Sequence, residues 1–299
     1  MAISTVRAQI NGTWYNLTLS GTNTYTATVT APGSTSFTRT GGYYDVTVEA
    51  TNTAGTVTTQ NAAGLAALKL VVKERVPPTI TIVSPTSGAF VVNNKQPVTF
   101  TVVDEAGGSG INISSLVVKQ DNTAVASSAI VSTAITNGYS VTYTPATALS
   151  DGSHTVSITV SDNDGNAAAE KSTTYKVDTV PPTLNITAPT NELVTNSASL
   201  VVRGTTNDAT SSPVTVKMTL NNTDQGTVSV DTSGTFTKTL TLVNGVNTIV
   251  ITATDAAGKS SSVTRAVTLD TSKPVVKSAT INPNPVDAGA TMVITVVVE

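Results

Sequence analysis

Apolar and polar side chains alternate along residues 247–261, with Ile249, Ile251 and Ala253 on one side and Thr252 and Thr254 on the other. A period of two over this length predicts a half-buried β-strand, and the run ends in a turn at Gly258. The same sequence of strand, turn and glycine is written at 44–58 and 154–168, ending at Gly55 and Gly165. Three copies roughly a hundred residues apart mark a repeat whose unit has the size of a two-sheet β-sandwich. No apolar period of 3.6 is sustained anywhere along the chain, so helices are not expected beyond a single turn between 61 and 68.

The punctuation of the chain divides it into domains at 1–75, 76–179 and 180–271, with 272–299 a partial fourth β unit or C-terminal tail. The fold class expected is all-β, tandem immunoglobulin-like β-sandwich domains in a rod. In the first domain, strands at 3–10 and 13–19 flank Asn11-Gly12, the dipeptide that best tolerates the positive φ angles of a type I′ hairpin turn. Val76-Pro77-Pro78 and Val180-Pro181-Pro182 close the first two domains. Paired prolines favour extended backbone, so both joints are expected to be short, semi-rigid hinges. After each joint the chain resumes in the same way, at 79–86 and 183–190, as a strand stopped by Pro85 or Pro189. The tail offers only two strands, too few for independent stability, and is expected to pack on a neighbour or to continue past Glu299.

Composition narrows what such sandwiches do. Hydrophobic residues are 39% but aromatics 4%, so the cores must be mostly aliphatic. Charged residues are 12%, about half the usual share, and Thr, Ser and Asn supply the surface instead. A net charge of −3 without a run of Lys or Arg argues against nucleic acid or an anionic membrane as partner. With no Cys there is no disulfide, thiolate metal site or Cys nucleophile. The start reads as a strand with no basic and then apolar leader, and no apolar run approaches the roughly 20 residues of a membrane-spanning helix. Synthesis and assembly in the cytoplasm are therefore expected.

Chemistry has few footholds in this sequence. The single histidine, His154, opens a strand after Asp151-Gly152, with no Gly-x-Ser-x-Gly elbow anywhere, and is expected to be a surface strand-end residue. The segment Asp162-Asn163-Asp164-Gly165-Asn166 has the alternating oxygens and the glycine of a calcium loop but not its closing Glu. Asp162 and Asp164, with Asp178 at the second joint, are the metal candidates, and Asp104 and Glu105 are further carboxylates in reach in principle. Turn chemistry alone also places Asx residues there, since Asn52 occupies the equivalent turn of the first domain. Half of the aromatic residues lie in the first 44 positions: Trp14, Tyr15, Tyr25, Phe37, Tyr43 and Tyr44. They read as that domain's own aromatic core, or as a contact surface in which Trp14, Tyr15, Tyr43 and Tyr44 meet a partner or a sugar. No catalytic residue and no cofactor are expected.

The repeated strand and turn, the Val-Pro-Pro joints and the Thr-rich composition resemble bacterial Ig-like repeat proteins. The stretches 6–19, 25–32, 148–155 and 281–290 resemble, more narrowly, those encoded in tail and baseplate gene clusters of prophages of Gram-positive bacteria. That resemblance implies a non-enzymatic virion or phage-tail component that spaces or displays host-adhesion parts, assembled in the host cytoplasm and released by lysis. Its partners would be other virion and tail proteins, further copies of itself in the assembly, and a host surface glycan. The alternatives are a bacterial cell-surface stalk or adhesin, and a carbohydrate-binding accessory module, which would bind glycan through Trp14 or Tyr44.

Overall fold

A computed structural model describes residues 2–299, and it is built almost entirely of β-strands. The chain forms two compact units, one running to Asp178 and one from Thr179 to Glu299. Among the described residues no helix is long and apolar enough to cross a membrane.

The first segment contributes β1 (Ile3–Ile10), β2 (Thr13–Gly21), β3 (Thr24–Thr26), β4 (Tyr44–Asp45), β5 (Thr47–Asn52), β6 (Val57–Gln60) and β7 (Lys69–Leu70). Asn11 and Gly12 both take positive φ, 47° and 84°, and close the β1–β2 hairpin as their residue types require. The strands make one five-stranded sheet in the order β3-β2-β1-β5-β6, with β4 and β7 pairing separately as a ribbon. The expected aromatic core is absent from this segment: Tyr44 and Ala62 are its only buried apolar residues among those described, and Phe37 is exposed. The other buried aromatic rings are Phe100, Tyr143 and Tyr175 in the second segment and Phe236 in the third. A single sheet with little to cover it buries few large rings, because burial on both sides needs a second layer.

Residues 79–177 form a complete two-sheet sandwich. Its strands are β8 (Thr79–Ser84), β9 (Phe90–Val91), β10 (Val98–Val103), β11 (Ile111–Gln120), β12 (Thr123–Ala124), β13 (Ile130–Ile135), β14 (Gly138–Tyr143), β15 (Gly152–Asp162) and β16 (Lys171–Val177). One sheet runs β13-β14-β10-β8 and the other β12-β11-β15-β16-β9. The edge strand breaks at Pro85, which lacks a ladder donor, and its continuation β9 crosses to pair in parallel with β16 in the opposite sheet. This switch and the two-sheet order are those of an immunoglobulin-like sandwich. Alternation does the packing: Val98, Phe100 and Val102 from β10 face Val156, Ile158 and Val160 from β15, all at most 3% exposed.

The second unit repeats the plan with β17 (Thr183–Ala188), β18 (Leu193–Thr195), β19 (Ser199–Asn207), β20 (Thr215–Leu220), β21 (Thr223–Val228), β22 (Thr235–Thr241), β23 (Gly245–Thr254) and β24 (Ser260–Leu269). Sheets β17-β19-β22 and β18-β24-β23-β20-β21 enclose a core in which Ile249, Ile251 and Ala253 are fully buried, as their alternation predicts. The same strand break recurs at Pro189, and β18 pairs in parallel with β24. The remaining strands, β25 (Val276–Asn282) and β26 (Val293–Val298), pair with each other, and every residue of both is exposed.

One close approach in this core is testable. A Cβ on Gly204 of β19 would lie 2.5 Å from both the Asn185 carbonyl oxygen and the Phe236 ring. Gly204→Ala is expected to destabilise the second unit by about 1–3 kcal/mol through overpacking, read as a lower midpoint of chemical denaturation. The conservative Ile249→Val in the same core should cost about 0.5–1.5 kcal/mol.

Candidate functional site

The turn between β15 and β16 is where the calcium-loop pattern falls, and its chemistry proves to be local. Asp162 is buried, its Oδ1 accepts from the Asn166 backbone N–H at 2.8 Å, and its Oδ2 accepts from the Asn166 side-chain amide at 2.7 Å. The backbone pair from Asp162 N–H to Asn166 C=O, 3.1 Å, and positive φ at Gly165 complete the closure. Asn52 and Asp255 close the corresponding turns of the other repeats by the same bonds, to Thr56 N–H and Lys259 N–H, both at 2.9 Å. The repeated turn is thus an Asx-closed hairpin.

Asp164, two residues on, points away from that closure. Its Oδ2 accepts from Thr35 Oγ1 at 2.5 Å and from the Glu74 N–H at 3.0 Å, and its carbonyl accepts from Lys73 Nζ at 3.1 Å. These bonds hold the end of the first segment against the β15–β16 turn, so the first Val-Pro-Pro joint does not behave as a free hinge. Asp178 lies just past the other end of the seven-residue β16, about 20 Å along the strand from that turn, and is fully buried. Asp162, Asp164 and Asp178 are therefore not brought to one point.

A different set of carboxylates converges beside Asp164. Asp104 follows β10, and its Oδ2 accepts from the Gly110 N–H at 2.6 Å. Glu74 Oε1 accepts from the Ser109 N–H, also at 2.6 Å, and the Glu74 carbonyl accepts from the Asn166 side-chain amide at 3.3 Å. Each of Glu74, Asp104 and Glu105 places a carboxylate oxygen within 4.8 Å of the others. One buried oxygen on each, Glu74 Oε2, Asp104 Oδ1 and Glu105 Oε2, meets no N–H or hydroxyl donor, so only a proton shared between carboxyls could bond it. The glycine-rich loop exists to let them in: a Cβ on Gly108 would stand 2.6 Å from Asp104 Oδ2 and 2.9 Å from the Glu105 carboxyl carbon. Gly107 and Gly110 hold φ of 85° and 81°. The loop opens on a cleft of about 270 Å³ lined also by Thr38 and Asn137.

Three like charges at this spacing repel by roughly 3 to 4 kcal/mol per pair at an effective dielectric near 20. Hydrogen bonding to the Glu74 carboxyl, then burial and the neighbouring Asp104, push the Glu105 carboxyl up from 4.5 to about 7. In the second unit Asp208 follows β19 as Asp104 follows β10, and its carboxylate lies within 4.8 Å of that of Asp255, the counterpart of Asp162. Asp208 Oδ1 accepts from the N–H groups of Thr210 and Ser211, whereas Asp255 Oδ2 is buried without a partner. Sequence reasoning named Asp104 and Glu105 but missed Glu74, which lies thirty residues upstream and is delivered by the chain's path rather than by spacing.

The aromatic candidates do not form one patch. Trp14 and Tyr15 are successive residues of β2 and point to opposite faces of the sheet. The Arg7 guanidinium stacks on the Trp14 ring at 4.2 Å and pairs with Glu49 at 2.6 Å. Tyr44 is 2% exposed with its hydroxyl donating to the Ser34 carbonyl, and Arg39 covers its ring at 3.8 Å. Lys69 sits 4.9 Å from the Tyr43 ring centre. The opposite face of the sheet is an open apolar groove lined by Ile3, Val6, Leu17, Tyr25, Val48 and Ala50.

His154 corrects the expectation of a surface histidine. It is 8% exposed, Nδ1 lies 2.7 Å from Asp121 Oδ2, and Nε2 lies 2.8 Å from the Ser150 carbonyl. With both nitrogens engaged it has none free to act as a general base. Burial works against its protonated form, but the bonds to Asp121 and Ser150 outweigh this and raise its pKa, while the same pair lowers that of Asp121 against its own desolvation.

The His154 contribution is complete below the unfolded value of about 6.5 and is lost as pH rises through the raised folded value. The Asp121 contribution is present above about 3.8 and is lost as pH falls through the lowered folded value. Thermal melts across pH 3–9 should show the stability difference between wild type and His154→Gln greatest between those limits and shrinking on either side. Glu105, with its raised pKa, makes stability fall as pH rises from 4.5 to about 7 and leaves it lowered above that in both proteins, so it cancels in that difference.

Residues 86–179 match the family described as bacterial Ig-like domain, and residues 182–271 match the family described as glucodextranase, domain B. No curated protein matches the chain. Among solved structures, fibronectin(III)-like modules of Clostridium thermocellum CbhA align at 17% identity over 64% of this chain and 94% of theirs, with a TM-score of 0.40. Domains from titin align at 12% identity over 76% of this chain and 73% of theirs, TM-score 0.41. Sidekick-1 immunoglobulin domains 1–4 align at 13% identity over 90% and 68%, TM-score 0.37. With the strand order described above, residues 79–269 are two Ig-like sandwiches in tandem, the first of them matched by the bacterial Ig-like family.

Proposed function

We propose that this chain is a non-enzymatic structural module that spaces or displays an adhesive part, and that it does so in a bacteriophage tail or phage-tail-like particle. The observation that carries the structural role is the serial repetition of Ig-like sandwiches whose buried side chains are spent on their own cores. His154, the one candidate base, is bonded at both nitrogens. The particle assignment rests on the resemblance of residues 6–19, 25–32, 148–155 and 281–290 to prophage tail-cluster proteins. In such a particle, copies of this chain would meet one another and other tail proteins, and a host surface glycan would be the outer target.

A second reading is favoured by the match of 182–271 to a domain of glucodextranase: an accessory module attached to carbohydrate-active enzymes. In this chain Arg7 and Arg39 already cover the Trp14 and Tyr44 rings, so a sugar stacking there would have to displace them.

The two are separated by locating the protein and by offering it glycans. Immunogold electron microscopy of particles released from an induced culture should place antibody against this chain on tail shafts or tail ends. Label confined to cell walls, with bare particles, would overturn the phage reading in favour of a surface stalk. Saturable binding to soluble α-glucan, weakened at least tenfold in Trp14→Ala, would instead support the accessory module.

A further inference from the structure

The Glu74, Asp104 and Glu105 cluster has a composition unlike the rest of this chain. Where charged residues are only 12% of the sequence, three carboxylates from two distant segments meet within 4.8 Å, and among the described residues no Lys, Arg or His is paired to them in an ion bridge. Asp104 belongs to the cluster, is 4% exposed, and its Oδ1 is buried without a partner, which is costly for a carboxylate. The other oxygens of Asp104 and Glu74 are held by the Gly110 and Ser109 N–H groups, which fix the direction of the unpartnered ones.

We propose that Glu74, Asp104 and Glu105 bind a divalent cation of the calcium class, clamping the end of the first segment to the β10–β11 loop of the adjoining sandwich. The donor set is all hard oxygen, without nitrogen or sulfur, which suits calcium or magnesium rather than zinc. The loop 107–110 carries three glycines and no octahedral constraint, and the cleft beside it admits water to fill the six to eight positions calcium takes. The clamp draws on an attachment already present, because Asp164 accepts from both Thr35 and the Glu74 N–H. The first segment has almost no core of its own, so holding Glu74 steadies the β4–β7 ribbon that precedes it. This reading goes beyond the proposed function and does not depend on which assembly the chain enters.

The test is calcium titration of the full chain by isothermal calorimetry, with melting temperature in calcium and in chelator, for wild type, Asp104→Asn and Glu105→Gln. Asn at 104 retains an acceptor for the Gly110 N–H, and Gln at 105 keeps the side-chain volume, so both should fold. Far-ultraviolet circular dichroism in chelator checks this. Wild type is expected to gain thermal stability in calcium, and each variant to bind at least tenfold more weakly at one site and to lose most of that gain. Wild type showing neither heat nor a melting shift would overturn the proposal, as would variants that fold and retain the wild-type isotherm, which would put the calcium elsewhere. A variant that failed to fold would be replaced by Glu74→Gln, with the same two outcomes. Limited proteolysis gives an independent readout, since calcium should slow cleavage around 72–78 in wild type and leave the variants unprotected.

Discussion

Everything in the repeat depends on how its longest hairpin is closed. In the two complete sandwiches, β15 and β23 are central strands that carry a buried face on every second residue, so a one-residue slip would turn that face to solvent. Asp162 and Asp255 set the register by bonding, through one side-chain oxygen, the backbone N–H four residues on, while the intervening glycine takes the positive φ. The acceptor is short, rigid and nearly buried, which makes the turn geometry a property of one residue type. Asn serves as well as Asp because only the acceptor oxygen is needed, which explains how Asn52 fills the position in the first segment.

With that turn held, the residues after the Asx become free for other work, and the repeats differ in what they do with them. After Asp162 comes Asn163, whose amide donates to the carbonyls of Ser109 and Gly110, and then Asp164, which takes Thr35 and Glu74. After Asp255 come two alanines. The difference between these turns is a difference in the partner each meets, and it separates two joints that look alike in their prolines. Lys73 and Glu74 precede Val76-Pro77-Pro78 and are bonded to the β15–β16 turn, so residues 1–178 form one compact unit. The division into units falls instead at Asp178, beside Val180-Pro181-Pro182.

The β-structure was legible because alternation is a local signal. The strands at 98–103, 154–160 and 247–253, the Asn11-Gly12 hairpin and the strand breaks at Pro85 and Pro189 each follow from a few adjacent residues. What lay beyond reach depends on layers and on distant segments. Alternating strands at 3–10, 13–19 and 43–50 read the same whether or not a second sheet lies over them, so an aromatic core was expected where a single sheet stands. His154 read as a surface residue because Asp121, which receives it, lies thirty-three residues away across β11 and β15. The Asp162 pattern read as a candidate calcium loop because turn closure and cation binding select the same residues, and only Asn166 occupying both Asp162 oxygens separates them. Glu74 carries no motif at all.

The scarcity of charge sharpens what remains. Exposed sheet faces here are stitched by hydroxyls, as in Thr155 with Thr174, Thr252 with Ser262 and Thr254 with Ser260, each pair within 2.9 Å. Such pairs are neutral, insensitive to salt and need no desolvation of a charge, so a chain built on them has little structural use for carboxylates. The acidic residues that are nevertheless buried therefore stand out, and they sort by what their oxygens meet. Asp162 is satisfied within its own turn, and Asp121 is satisfied across strands by His154 and the Thr155 N–H. Glu74, Asp104 and Glu105 bring carboxylate oxygens within 4.8 Å of one another, and each keeps one buried oxygen without a hydrogen-bond partner. Mutual repulsion opposes that arrangement, and the surrounding N–H groups of Ser109 and Gly110 satisfy just half of it. A positive charge, whether a shared proton or a cation, would relieve that repulsion, and a cation can engage all three carboxylates at once.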